Sequence, residues 1–120
     1  MTVMQPYSTT LDEGQYHQVA DHVMEDMHEK LEAYVEENDV DGGDVEYSQG
    51  VLTVKLGKQG TFVVNKQTPN RQIWLSSPVS GPFRFDYSDG RWLYHRDRRD
   101  LVKLLEAEIS QLVGSPLKLE

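Results

Sequence analysis

The spacing of hydrophobic residues changes from helical to alternating and back to helical along this chain, and that change limits the possible folds most strongly. Between Tyr16 and Tyr34, apolar residues recur every three or four positions, which is typical of one face of an amphipathic helix. From Val51 to Leu56 they alternate with other residues, as in a strand buried on one side. Helical spacing returns after Asp100. The order helix, strands, helix predicts an α+β fold.

The start of the first helix is predicted from a capping motif. Thr10-Leu-Asp-Glu13 has the form of a capping box, with Thr10 as N-cap and Glu13 at the third helical position. The helix is predicted to run to about Glu37, and residues 1–9 before it to form a flexible arm. Residues 10–120 are then a single domain. The apolar face of this helix is predicted to contain Tyr16, Ala20, Val23, Met27, Leu31 and Tyr34.

Five strands are predicted between the two helices, and Asp39 to Asp44 before them is interpreted as a turn. Pro78, Gly81 and Pro82 are expected to interrupt pairing. Asp100 is the predicted N-cap of the last helix, which ends at Gly114. Both helices should cover one face of an antiparallel meander, giving a two-layer sandwich whose other face meets water. The predicted strands are 51–56, 61–65, 71–75, 83–87 and 91–94.

The composition excludes several kinds of chemistry. The 120 residues contain no cysteine, so disulfides, thiolate nucleophiles and Cys-ligated metal are excluded. No apolar run approaches the roughly 20 residues needed to span a bilayer, so no membrane partner is expected. Residues 1–50 hold 13 Asp and Glu against one base, Lys30. This acidic half would repel phosphates, so nucleic acid is not an expected partner, whereas cations or a basic protein surface are.

Carboxylates follow one side of the first helix and form what we call the acidic ridge. At about 100° per residue, Asp21, Glu25, Glu29, Glu32 and Glu36 fall within an arc of about 80°, opposite the apolar face. A plain solvated face explains such a charge run in most proteins. Alternatively, hard oxygen ligands one turn apart hold ferrous, ferric, manganous or calcium ions loosely. No closed cage is specified, so the spacing predicts weak and exchangeable sites.

Trp74 is the aromatic residue whose position is least expected in an acidic chain. If Ile73 and Leu75 face the helices, alternation places Trp74 and Gln72 on the outer sheet face, where the indole should be substantially exposed. An exposed Trp among amides and cations has the composition of a protein interface. Cross-strand packing of a surface aromatic explains it equally well.

The stretch around Trp74 resembles a known family. Asn65-Lys-Gln-Thr-Pro-Asn-Arg-Gln-Ile-Trp-Leu-Ser-Ser-Pro78, followed by Ser80-Gly-Pro82, closely resembles the corresponding segment of eukaryotic frataxins. Similar matches are Leu11-Asp-Glu13, Gly50 to Leu56, and the Leu101-xx-Leu-Leu105 pattern of the last helix. The resemblance covers about residues 10 to 113 and implies the helix–sheet–helix sandwich predicted above.

The resemblance also implies a function in iron–sulfur cluster assembly in the mitochondrial matrix. Frataxins bind iron weakly at an acidic ridge and stimulate sulfur transfer in a complex of cysteine desulfurase and cluster scaffold. It further implies a monomer with iron-driven oligomers. The implied iron ligands are Asp12, Glu13, Asp21, Glu25, Glu29, Glu32 and Glu36. The implied partner-binding residues are Asn65, Gln72, Trp74, Pro82 and Arg84.

Two alternatives stay open at this point. A ferroxidase activity is attributed to some frataxins, and carboxylates favour the harder ferric product, so the chain could oxidise ferrous iron at the ridge. An iron-storage oligomer is the other alternative. His17 and His22 stand where other frataxins often carry acids, so the number of iron ions is not implied by the resemblance.

Overall fold

The computed structural model describes residues 11–120, and it shows two helices packed on one face of a six-stranded antiparallel sheet. The predicted two-layer α+β sandwich is therefore confirmed. Thr10 and the 1–9 arm lie outside the described residues. Neither helix in 11–120 has the length and apolarity needed to cross a membrane. The elements are α1 Glu13–Glu37, β1 Gly43–Ser48, β2 Val51–Leu56, β3 Thr61–Gln67, β4 Gln72–Ser77, β5 Gly81–Ser88, β6 Arg91–Tyr94 and α2 Leu101–Val113.

The N-cap of α1 is Asp12, two positions later than the sequence predicts. The Asp12 carboxylate accepts from the backbone N–H of Gln15 at 2.7 Å, and the Gln15 side chain accepts from the backbone N–H of Asp12 at 3.2 Å. This is a complete capping box, but with Gln15 rather than Glu13 as the reciprocal partner. The pair Thr10 and Glu13 and the pair Asp12 and Gln15 both have the spacing of a capping box, so the sequence alone does not distinguish them. The predicted end of the helix at Glu37 is confirmed.

The buried face of α1 differs from the predicted one in three residues, because Met24 and Val35 belong to it and Val23 does not. Met24 is fully buried, whereas Val23 is only partly buried and lies at the edge of a groove between the helices. Val23 and Met24 are about 100° apart and flank the apolar face on opposite sides, so a small rotation of the helix decides which of them is buried. The other predicted core positions on α1 are confirmed: Tyr16, Ala20, Met27, Leu31 and Tyr34 are buried.

The sheet is a simple meander in which each strand pairs with the next along the chain, in the order β1 to β6. Strand β1 is not among the five predicted strands, because Val45 and Tyr47 are its only large apolar side chains. Gly57 allows the β2–β3 connection to pass close to the loop before β1: its φ is +61°, and a Cβ there would lie 2.0 Å from the carbonyl oxygen of Asp41.

Pro82 does not interrupt the sheet, contrary to the prediction. It lies within β5 opposite Ser76, and Gly81 likewise pairs with Ser77. The predicted limits of β6 are confirmed, as are Asp100 as N-cap of α2 and Gly114, with φ +81°, as its C-cap. The inner faces of β1 to β6 and the two helices enclose one hydrophobic core.

Candidate functional site: an acidic helix ridge and an outer-face aromatic patch

The ridge residues project from α1 on the side of the helix next to β1. Glu25, Glu29, Glu32 and Glu36 are exposed. In the described part of the chain, Glu25, Glu29 and Glu36 have no cationic side chain within 4 Å, whereas Glu32 lies 3.7 Å from Nε2 of His28. The last turn of α1 contains no basic residue. The C-terminal end of a helix carries a partial negative charge, which repels the carboxylates there. A bound cation would therefore relieve most repulsion at this end of the ridge.

The ridge does not present all the predicted ligands equally. Asp12 is occupied as the N-cap, and Glu13 lies 3.7 Å from Nε2 of His17. Asp21 forms an ion pair with Lys66 of β3, whose side chain is only 12% exposed. The free carboxylates are therefore concentrated from Glu25 onward. This division was not predictable from α1 alone, because Lys66 lies 45 residues further along the chain.

The loop after α1 and the start of β1 extend the acidic surface beyond the predicted residues. Asp39 and Asp44, together with Glu32 and Glu36, line a cleft of about 330 Å³ between the end of α1 and the start of β1. Sequence reasoning missed these two acids because it placed residues 39–44 in a turn and did not connect them to the helix. The close spacing of Asp39, Asp41 and Asp44 in the sequence was the available signal.

The negative charges of the ridge affect the pKa of a neighbouring tyrosine. Burial raises the pKa of Tyr47 on β1, and the nearby charges of Asp21 and Glu25 raise it further. Within residues 11–120, no three His, Asp or Glu side chains are grouped closely enough to hold a metal ion as a set. The donors are carboxylate oxygens, which suit hard cations such as ferrous and ferric iron, and their spacing is that of separate surface sites.

The outer-face patch is built by one row of cross-strand neighbours. Asn65 of β3 lies opposite Trp74 of β4, which lies opposite Arg84 of β5. The Arg84 guanidinium is 4.8 Å from the centroid of the indole ring, within cation–π range. Trp74 is half-buried rather than substantially exposed as predicted, because Arg84 and the neighbouring strands cover part of the ring.

All five predicted partner-binding residues lie on this face. Pro82 and Arg84 are exposed, and Asn65 and Gln72 are partly exposed. Gln72 accepts a hydrogen bond from Nε1 of Trp74 at 2.8 Å. A shallow cleft of about 360 Å³ beside the indole is lined by Val63, Asn65, Trp74, Pro82 and Arg84, among others. We call the five residues Asn65, Gln72, Trp74, Pro82 and Arg84 the Trp74 patch.

The ridge and the Trp74 patch are connected through the core although they lie on different layers. The buried Tyr16 of α1 donates its hydroxyl proton to the backbone carbonyl of Gln72 at 2.7 Å. Lys66, at the same end of the sheet, joins β3 to α1. The two candidate surfaces therefore keep a fixed relative position.

Comparison with known proteins tests the resemblance found in the sequence. The frataxin-like domain family matches residues 9–115, which is most of the chain. The mitochondrial frataxin of Arabidopsis thaliana is 49% identical over 115 residues, which cover 94% of this chain. The chain belongs to the frataxin family.

Other frataxins agree in sequence and in structure. The mitochondrial frataxin homolog of Saccharomyces cerevisiae is 40% identical over 82% of this chain. The crystal structure of the trimeric yeast frataxin complexed with ferrous iron superposes with a TM-score of 0.72 at 35% identity, covering 92% of this chain and 94% of that one. A frataxin from Psychromonas ingrahamii has a TM-score of 0.77 at 23% identity, which supports the fold alone.

The chain spans part of the length of its frataxin relatives. It covers 62% of the Arabidopsis protein and 53% of the mitochondrial frataxin of Dictyostelium discoideum. Both relatives are named as mitochondrial.

Proposed function

We propose that this frataxin is an iron-binding regulator of mitochondrial iron–sulfur cluster assembly, which stimulates sulfur transfer from a cysteine desulfurase to the cluster scaffold and delivers ferrous iron. The observation that carries the proposal is the pairing of two surfaces on one rigid sandwich. The acidic ridge has free carboxylates, and the Trp74 patch carries a stacked indole and guanidinium. We place the protein in the mitochondrial matrix, in keeping with the naming of its relatives.

The ridge suits two partners of the same charge type. Exposed carboxylates from Glu25 to Glu36 offer oxygen ligands to iron. The iron is cargo rather than a resident cofactor, because the sites are open and divided among separate side chains. The same negative field suits a basic surface on the desulfurase and would speed its approach. Weak cation binding and protein docking at one surface are therefore expected to compete.

The Trp74 patch has the features of an interface anchor. Trp and Arg are the residues most often found to dominate binding energy, and here they lie face to face beside a small cleft. The backbone around them is a regular sheet, so the patch needs no rearrangement to bind. We expect the scaffold-bearing complex to bind here while the ridge faces the desulfurase.

A desulfurase turnover assay with purified assembly components tests the proposal. Adding the chain should raise turnover, and Trp74→Ala should weaken that stimulation by about tenfold or more in half-saturating concentration, as for an interface residue worth 1.4 kcal/mol or more. Val79→Ala is the control, since Val79 is 56% exposed but lies outside the patch. Equal stimulation by Trp74→Ala and wild type, with both chains folded, would show that the patch is not the anchor.

The alternative function, a ferroxidase, is tested at the ridge. Replacing Glu25, Glu29 and Glu32 together by Gln keeps the side-chain size and removes three negative charges. If the chain oxidises ferrous iron catalytically, oxygen uptake should collapse in the triple variant. If the carboxylates only bind iron, oxygen uptake should hardly differ from that of the wild type, while iron binding weakens.

Iron-driven assembly into oligomers is the third possibility, and the structure of one relative supports it. The yeast frataxin that superposes on this chain is trimeric in its complex with ferrous iron. Light scattering during iron addition tests the same behaviour here. A rise to a trimer or larger assembly supports storage or templated assembly, whereas a constant monomer supports loosely bound cargo iron.

A further inference from the structure

Asp86 is a buried carboxylate that the proposed function does not use. It lies on β5, on the outer face of the sheet, between Gln72 of β4 and Leu93 of β6. Its exposure is 8%, and among the described residues it is the one charged side chain that is classed as buried. Burying a carboxylate is costly unless hydrogen bonds compensate, so its role needs a physical explanation.

The hydrogen bonds of Asp86 lead directly to Trp74. Oδ1 of Asp86 accepts from Nε2 of Gln72 at 3.0 Å. An ionised carboxylate can only accept, so it holds the NH₂ group of the Gln72 amide on its own side. The carbonyl oxygen of that amide must then point the other way, where it accepts from Nε1 of Trp74 at 2.8 Å.

The backbone of Gln72 is held as well as its side chain. The hydroxyl of the buried Tyr16 donates to the Gln72 carbonyl oxygen at 2.7 Å. Gln72 is therefore fixed at both ends, by α1 through its main chain and by β5 through its amide. Because the indole has a single N–H, this arrangement uses the one donor of the Trp74 side chain.

We propose that Asp86 is a positioning residue which, through Gln72, occupies the indole N–H of Trp74 and holds the ring beneath Arg84, so that a partner is recognised by the ring and the guanidinium rather than by the indole donor. The inference rests on the proposed function, in which the Trp74 patch is the anchor. The partner group that fits is an apolar side chain on the ring beside a hydrogen-bond acceptor for Arg84.

The fold alone gives little reason to keep a carboxylate at this position. Its cross-strand neighbours are Gln72 and Leu93, and no cationic side chain in the described part of the chain lies within 4 Å of it. A leucine has nearly the same shape and would bury no charge. Leucine removes the cost of burying an unpaired charge, so the replacement should be neutral or stabilising.

Asp86→Leu is therefore the decisive variant, and the primary measurement is NMR of the indole N–H. The variant should fold with an unchanged or higher melting temperature, while hydrogen exchange at Nε1 of Trp74 accelerates about tenfold, which corresponds to losing one well-oriented hydrogen bond. Asp86→Asn keeps an acceptor oxygen and should retain most of the protection. A Trp74→Phe sample assigns the signal, because Trp92 supplies the only other indole.

The desulfurase assay supplies the functional measurement. Asp86→Leu should raise the half-saturating concentration about tenfold without changing maximal stimulation, and it should add nothing further in a Trp74→Phe background, which has no indole N–H. Unchanged protection of the indole in Asp86→Leu would overturn the inference, and so would an equal loss of stimulation with and without Trp74. If the wild-type chain gives no stimulation, the proposed function fails, and the NMR result alone decides whether Asp86 holds the indole.

Discussion

The ammonium group of Lys66 on β3 donates hydrogen bonds to both Asp21 and His17 on α1, and its nitrogen lies 2.9 Å from Nδ1 of His17. A lysine therefore occupies the point at which an imidazole nitrogen and a carboxylate oxygen one helical turn apart converge. That point is where a metal ion shared by His17 and Asp21 would have to lie. The N-terminal end of the ridge is neutralised internally, and cations from solution are left with the carboxylates from Glu25 onward.

Removing the Lys66 charge should open this end of the ridge to metal. In Lys66→Met we expect one additional weak divalent site at His17 and Asp21, with a preference for ions that accept an imidazole, such as Co²⁺. Paramagnetic broadening of backbone NMR signals during Co²⁺ titration locates the sites. In the wild type it should be confined to the region after Glu25, and in the variant it should extend to His17.

Lys55→Met is the matched control for that experiment, because Lys55 is a half-exposed lysine that lies 3.9 Å from Glu46 on the sheet. It removes the same charge without touching α1, so the pattern of broadening on the helix should stay that of the wild type. Broadening at Asp21 in the wild type equal to that at Glu29 would contradict the assignment of Lys66 as the resident cation.

Tyr16 should make the fold sensitive to alkaline pH. Burial raises its pKa from 10.0 to about 12, and the charge of Asp21 adds to the effect. Between these values the unfolded chain ionises at this residue while the folded chain does not, so unfolding releases a proton and stability falls as pH rises. This stabilisation is fully present below pH 10, and about 2 kcal/mol of it is lost by pH 12.

Urea unfolding measured from pH 9 to 12 checks this, with Tyr16→Phe as the comparison. The variant loses the hydrogen bond to Gln72 and should be about 1 kcal/mol less stable at neutral pH. It should nevertheless lose less stability than the wild type as the pH is raised, so the two curves converge or cross. Curves that stay parallel throughout would show that ionisation of Tyr16 is not linked to unfolding.

The segment after α2 should contribute to stability as a part of the core. Leu119 is 2% exposed, its backbone N–H donates to Glu106 at 2.6 Å, and its carbonyl accepts from Lys30 at 3.1 Å. Leu119→Ala should lower the free energy of unfolding by about 2 to 3 kcal/mol, at the low end for a buried leucine because the segment can adjust.

Lys118→Ala is the neighbouring control for Leu119→Ala, since Lys118 is exposed, and it should change stability by less than about 0.5 kcal/mol. Chemical denaturation of both variants measures the difference. A Leu119→Ala chain as stable as the control would mean that the segment is not held against the helices in solution.

The elements with strong periodicity were predictable, and those defined by distant contacts were not. The helices and the strands β2 to β6 each carry enough apolar residues at a fixed spacing to be recognised from sequence. Strand β1 contains only Val45 and Tyr47 as large apolar residues, and its pairing with β2 gives it its structure. The choice between Val23 and Met24 depends on helix rotation, which only packing determines.

The candidate site shows the same division between local and distant information. Alternation correctly placed Trp74 on the outer face, because the inward neighbours Ile73 and Leu75 leave no other choice. Neither the Lys66 ion pair nor the Asp86–Gln72 hydrogen bond was predicted, since each joins elements more than ten residues apart. Pairing of strands and helices has to be known before such contacts can be inferred.

Among residues 11–120, strand β1 is at one edge of the sheet, and its outer backbone groups pair with no other strand of this range. Open edges are where two copies of a protein can join through strand addition and begin to aggregate. Asp44 and Glu46 are exposed along this edge and close to the acidic end of α1, so two copies approaching edge to edge would repel each other. The acidic surface therefore protects the protein's solubility, and any cation that neutralises it also weakens that protection.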